Sequence, residues 1–160
     1  MTKPILFTSS LAMLAIATLL PGCATTEAAA TRPELYQCRR LALLGLHPTD
    51  EALFTALFME RFPTHDFVER SELETILEEQ DMHPGRLDEA KRAKMRRVLG
   101  VQGIVLASFM GAEKFSIRVV DSETGAVLAS VVTKNQSFGL GTQASKKQLI
   151  SQALDEIDSP

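Results

Sequence analysis

Gly103-Ile-Val-Leu-Ala-Ser-Phe-Met110, Lys114-Phe-Ser-Ile-Arg-Val-Val-Asp121 and Ala126-Val-Leu-Ala-Ser-Val-Val-Thr133 are three runs rich in β-branched and aromatic residues. The breaks between them hold Gly111 and the segment Asp121-Ser-Glu-Thr-Gly125, whose aspartate can bond its own backbone and whose glycine tolerates positive φ. The pattern predicts three consecutive antiparallel strands. In the middle run Phe115, Ile117 and Val119 alternate with Ser116, Arg118 and Val120, the period of a half-buried strand. A three-stranded meander leaves an apolar face in water unless helices cover it, so covering helices are expected on both sides in the chain.

Upstream, Arg39-Arg-Leu-Ala-Leu-Leu-Gly-Leu46 is almost continuously apolar, as an inner strand covered on both faces requires, with Leu41, Leu43 and Gly45 on one side and Ala42, Leu44 and Leu46 on the other. Pro48 ends it. Thr49 or Asp50 then caps an expected helix with a stripe of Leu53, Phe54, Leu57, Phe58 and Met59 that stops before Pro63. His65 to Arg70 reads as a short strand. Ser71-Glu-Leu-Glu74 fits a capping box ahead of Leu73, Ile76 and Leu77, on a helix whose other face carries Glu72, Glu78, Glu79 and Asp81.

After His83-Pro-Gly85 a further helix is expected from about Asp88 to Leu99, with Ala90, Ala93, Met95, Val98 and Leu99 apolar and Lys91, Arg92, Lys94, Arg96 and Arg97 basic. These five cations are the candidate partner contact. The simpler meaning of two oppositely charged helices is that they lie side by side, with exposed pairs that stabilise little; the sharper one is a docking surface for a partner domain or for anionic lipid heads. The last segment, Thr142 to Ile157, repeats Ala144, Leu149, Ile150, Ala153, Leu154 and Ile157 at helical spacing. The expected fold is a small α/β (α+β) sandwich, a mixed sheet in the order βαβααβββα with helices covering it.

The chain begins with Lys3, an apolar stretch from Ile5 to Leu20, and Leu20-Pro-Gly-Cys23. An apolar region of this length with that ending is an export signal rather than a spanning helix. Leu20-Pro-Gly-Cys23 resembles a bacterial lipobox, which implies cleavage before Cys23 and acylation of that residue; the alternative is an ordinary cysteine beyond a secretory cleavage site. Two or three acyl chains anchor a protein durably. Ala24 in place of the aspartate of inner-membrane retention points by the same resemblance to the outer membrane, facing the periplasm. Ala24 to Pro33 has no apolar period and reads as a tether, about 30 Å if extended at about 3.3 Å per residue. The expected division is residues 1–22 as signal, 23–37 as lipidated cysteine and tether, and 38–158 as the folded domain.

The 160 residues are 45% hydrophobic and carry a formal net charge of -3, which argues against nucleic acid as a partner. Two cysteines give no disulfide framework, and Cys38, at the edge of an apolar strand, reads as a small buried hydrophobe before it reads as a reactive thiol. His47, His65 and His83 stand in three unrelated settings, so no metal site is expected. Phe138-Gly-Leu-Gly141 lacks the lysine of a phosphate loop, and Ser108, Ser116 and Ser130 lack a nucleophile elbow. Glu69-Arg70 reads as an ion pair at a strand end. No catalytic residue, cofactor or metal is expected.

Phe67-Val-Glu-Arg-Ser-Glu-Leu-Glu-Thr-Ile-Leu-Glu-Glu-Gln80, then Leu87 through Leu99-Gly-Val-Gln-Gly-Ile-Val105, then Ser116-Ile-Arg-Val-Val-Asp-Ser-Glu-Thr-Gly-Ala-Val-Leu128 resembles, in that order, the curli-secretion lipoprotein (CsgG) family and the related TolB amino-terminal-like domains. The likeness runs from about Arg39 to Ile157 and is structural rather than catalytic. Gln102 stands where the family usually has aspartate, and the long loop after the first strand is missing. Pore-forming members carry long inserted segments that become membrane hairpins; here a few residues join Met110 to Lys114, so the chain resembles a short form without them. The resemblance implies a non-enzymatic accessory or assembly module of a cell-envelope machine, with a periplasmic or outer-membrane protein as partner. A subunit of a curli-type secretion complex, hence a homo-oligomer, is one alternative. The other is a membrane-surface ligand binder or enzyme using the face from Arg86 to Arg97.

Overall fold

A computed structural model describes residues 24–78, 88–135 and 142–159. The leader through Cys23, the His83-Pro-Gly85 break and the Phe138–Gly141 loop lie outside the described residues. In chain order the elements are β1 (Ala24–Thr31), a 3-10 turn (Pro33–Gln37), β2 (Arg40–Leu44), α1 (Pro48–Arg61), β3 (Asp66–Phe67), α2 (Arg70–Glu78), α3 (Glu89–Leu99), β4 (Gly103–Met110), β5 (Lys114–Asp121), β6 (Val127–Asn135) and α4 (Gln143–Asp158). The strands form one mixed sheet in the order β1-β6-β5-β4-β2-β3, open rather than closed into a barrel. β2 runs parallel to both neighbours and the rest are antiparallel.

From β2 onward the expected order holds. The three runs around Gly103 are the consecutive antiparallel strands β4, β5 and β6, and Phe115, Ile117 and Val119 all enter one core. That core lies between the sheet and the pair α1 and α4, with Phe54, Phe58, Leu149, Ile150, Leu154 and Ile157 closing over Leu41, Leu43, Val105 and Val131. On the opposite face α2 and α3 cover β2 and β4: Leu73, Ile76 and Met95 meet Ala42, Val101 and Ile104. The turn after β5 is built as its residues dictate. Asp121 Oδ1 accepts from the Glu123 and Thr124 amides, and Gly125 takes φ 73°.

Several local expectations are corrected. Ala24–Thr31 is a strand and not a tether. It pairs antiparallel along β6, and the Thr26 hydroxyl donates to Glu156 on α4 at 2.7 Å. Neither Thr49 nor Asp50 caps α1; the cap position is His47, with Pro48 in the first turn, where its missing N–H does no harm. Asp50 is buried and accepts two bonds from Lys146 Nζ, at 2.7 and 2.8 Å. α2 starts at Arg70, its first amides reaching Glu69 O, so the Ser71 box does not form. Met59, Val98 and Ala144 are exposed rather than core. Leu46 joins the α1–α4 core, because Gly45 at φ 97° redirects the chain; a Cβ there would lie 2.6 Å from Ala107 O.

Candidate functional site

The two faces of the sheet are not equally covered. β2 and β4 contribute side chains to both cores, whereas the outward side chains of β5 and β6 join neither. Alternation puts Lys114, Ser116 and Arg118 of β5 outward, and the register sets them beside Lys134, Val132 and Ser130 of β6. Arg118 is exposed and the others are partly so. Ser108, Ser116 and Ser130, passed over as nucleophiles, thus sit on an open sheet surface with no histidine among the side chains beside them in the register.

Lys114 and Lys134 stand directly opposite each other, a like-charge pair that repels. Glu27 of β1 relieves it, accepting from Lys114 Nζ at 2.8 Å. That hydrogen bond, with the further attraction of Lys134, holds the Glu27 carboxyl below the usual glutamate range. β1 bulges between Thr26 and Ala28, so Glu27 is the residue left out of the strand pairing.

The five cations proposed on α3 have different fates. Asp88 caps the helix by accepting from the Lys91 amide, and its carboxylate lies 3.9 Å from Lys91 Nζ. Arg92 packs over the β5–β6 turn, its guanidinium within 3 Å of where a Cβ on Gly125 would stand. Arg96 pairs with Glu123 at 2.7 Å. Lys94 is half-buried, and Arg97 is exposed beside Val98, itself 56% exposed. α2 does lie against α3. Among the described residues the ion pairs of α2, however, run to Arg40, to Glu51 of α1 and within the helix from Arg70 to Glu74. The helix is therefore partly neutralised by its own domain, and Arg96, Arg97 and Val98 form its outward end.

A second surface lies between α1 and the free edge of β3, a shallow groove of about 590 Å³ floored by Ala52, Ala56, Met59 and Phe67. One end is closed by Arg70, which donates to Glu51 at 2.7 Å and to Glu74 at 2.5 Å. These bonds raise the arginine's pKa and replace the expected Glu69–Arg70 pair.

The remaining candidate chemistry is structural. Cys38 is buried, its thiol pushed up by burial and by Asp121, and Sγ lies 3.8 Å from Glu34 O. His65 is buried against Phe58 and Phe62, with Nε2 3.4 Å from Leu35 O. His47 is exposed beside Thr49. Among the described residues no cluster of His, Cys, Asp and Glu could hold a metal, and no helix is long and apolar enough to cross a membrane. Gln102 explains its own departure from aspartate: Oε1 accepts from the Arg39 amide at 2.5 Å and the Arg40 amide at 3.3 Å. An amide carbonyl supplies the same acceptor as a carboxylate.

Residues 51–115, from α1 into β5, match the family model described as curli production assembly/transport component CsgG. No curated protein sequence matches the chain. The fold is similar to that of PelC from Paraburkholderia phytofirmans, solved as a dodecamer, with 12% identity, 86% of this chain and 99% of that chain covered, and a TM-score of 0.53. It is also similar to lipoprotein GNA1162 from Neisseria meningitidis, with 11% identity, 74% and 97% coverage, and a TM-score of 0.50. The chain is thus structurally related to PelC and to a lipoprotein, and one stretch of its sequence carries the curli assembly/transport pattern.

Proposed function

We propose that this protein is an outer-membrane lipoprotein facing the periplasm that acts by protein contact, as an accessory or assembly module of an envelope machine. Residues 1–22 are removed, Cys23 is acylated, and the folded domain begins with β1 instead of after a tether. The observation that carries the reading is the match of residues 51–115 to a curli assembly/transport component, in a chain whose leader ends in Leu20-Pro-Gly-Cys23. The likeness to a lipoprotein fold supports the anchor, and the surfaces described offer docking area in place of a reacting centre.

The outward end of α3, Arg96, Arg97 and Val98, with Lys91, Arg92 and Lys94 behind it, is the proposed partner contact. Self-assembly is a second reading, favoured by the PelC dodecamer and by β1 and β3 lying at the two ends of an open sheet. A pore made by this chain alone is not part of either reading. β4 and β5 are joined by Gly111-Ala-Glu113, far short of the roughly nine residues per strand of a membrane hairpin.

Replacing Cys23 by serine tests the anchor. Wild-type protein is expected in the outer-membrane fraction with a fatty-acid label; Cys23→Ser is expected to lose the label and keep its leader. A mature wild-type protein free in the periplasm and without label would overturn the reading.

A further inference from the structure

The strand at the start of the described chain changes what an anchor on Cys23 would do. A tether would let the domain tumble above a bilayer. Here the residue after Cys23 is already in the sheet, opposite Asn135, so an acylated Cys23 lies one Cα–Cα step of about 3.8 Å from a rigid strand. The end of the sheet at which β1 enters is then held at the membrane surface.

That end has a defined composition. Thr25 pairs with Lys134, Lys134 with Lys114, and Lys114 with Met110, so the last rung of four adjacent strands presents these side chains on one face. At about 4.8 Å per strand the rung spans about 14 Å. Met110 is 47% exposed at the tip of the β4–β5 hairpin. α4 follows β6 and so starts at the same end; its first turn has no acidic residue, and Lys146 and the exposed Lys147 lie just beyond. Among the described residues the acids near this end are Glu27, bonded to Lys114, Asp50, bonded to Lys146, Glu51, bonded to Arg70, Glu156, which accepts from Thr26, and Glu113 of the hairpin tip. The excess of positive charge lies on the rung itself, where Lys114 and Lys134 stand opposite each other with Glu27 bonded to one of them, next to the apolar tip at Met110. Lysine stems lie along apolar surface while their ammonium heads reach phosphate.

We propose that the rung Thr25–Lys134–Lys114–Met110 is the surface on which the domain rests against phospholipid headgroups. The inference builds on the acylation of Cys23 proposed above. It also assigns the two basic regions different tasks. Gly103, at the far end of β4, pairs with Asp121, and the turn that follows carries Glu123, the partner of Arg96. Eight residues of β4 place that end about 23 Å from the rung at about 3.3 Å per residue, beyond a Debye length of about 8 Å. The outward end of α3 faces the periplasm, and lipid is not its ligand.

Native lysines report the orientation without any substitution. The full lipidated protein is reconstituted into vesicles of phosphatidylethanolamine and phosphatidylglycerol at about three to one, and the acetylation rate of each lysine is read by mass spectrometry against the same protein in non-ionic detergent. Lys114 and Lys134 are expected to slow about fivefold or more in vesicles, while Lys91 and Lys94 change by less than about twofold. Uniform rates, or slowing centred on Lys91 and Lys94, in protein that floats with the vesicles would overturn the seating alone. Protein that neither floats nor carries acyl mass would remove the anchor and the seating with it.

Discussion

The half of the sheet formed by β2 and β4 and the half formed by β5 and β6 are built from different alphabets. β2 and β4 read Leu41-Ala-Leu-Leu44 and Ile104-Val-Leu-Ala107, apolar at every position, and the structure packs helices on both of their faces. β5 and β6 alternate, Phe115, Ile117 and Val119 inward and Ser116 and Arg118 outward, and apart from Val120, buried at the end of β5, only their inner face is packed. Burial on two sides removes the need for alternation, and burial on one side imposes it. The consequence is functional: the half covered twice exposes little beyond Ser108 and Met110 at the end of β4, and the half covered once presents a polar face.

The largest effect should separate the covered face from the open one. Leu154 on α4 is fully buried against the inner face, so Leu154→Ala is expected to lose about 2–5 kcal/mol in denaturant unfolding. Val132 is half-buried on the outward face, and Val132→Ala should lose under about 1 kcal/mol. Equal losses would break the comparison, since the outward face would then have to be packed as tightly as the inner one.

What was legible follows the same division. The alternation of β5 and β6, the continuous runs of β2 and β4 and the helical spacing in α3 and α4 are all local patterns, and each predicted its element within a few residues. The Asp88 cap and Gly100, in the left-handed conformation at φ 68°, bracket α3 as such residues should. β1 escaped because Ala24-Thr-Thr-Glu-Ala-Ala-Ala-Thr31 has no large apolar residue to alternate. It is a strand because the exposed edge of β6 supplies backbone partners and because Glu156 and Gln152 of α4 hold Thr26. The one available signal was that β6 would otherwise be an uncovered edge. The Asp50–Lys146 contact joins residues from the two ends of the domain, and no local pattern could have paired them. The lysine rung was equally hidden, because it exists only once the register of four strands is set.

A smaller effect tests the turn that closes the far end of β5 and β6. Burial alone would raise the Asp121 pKa, but bonds from Thr124 and Glu123 and the charge of Arg96 hold it below the ordinary value. A depressed carboxylate stabilises the fold above its unfolded pKa and loses that contribution as pH falls through the folded one. Stability should therefore decline on acidification below the usual aspartate range, and Asp121→Asn should show a shallower decline there by well under about 1 kcal/mol, since the site is largely in solvent. An acid limb identical in wild type and Asp121→Asn would show that the turn does not hold this end of the sheet.

The smallest expected effect on stability carries the most about function. Arg97 is exposed at the outward end of α3 and Val98 beside it is 56% exposed, so neither contributes a packed contact. Reversing Arg97 to glutamate with Val98→Ser should change unfolding free energy by less than about 0.5 kcal/mol, because substitutions away from packed or bonded features rarely do more. Arg96 and Arg92 are left intact in this variant, since one bonds Glu123 and the other packs on the turn at Gly125, and changing them would mix folding with binding. If the end of α3 turned away from the lysine rung is the partner contact, crosslinking in cells should capture an envelope protein with wild type and lose most of it with the double variant, at equal protein level and equal membrane anchoring. The same capture from both would remove α3 from the interface and transfer the search to the groove between α1 and β3, where Met59 and Phe67 offer the other apolar surface. The mirror-image variant, Lys134→Glu on the rung, should leave that crosslink intact, because the two regions lie at opposite ends of the strands and answer to different partners.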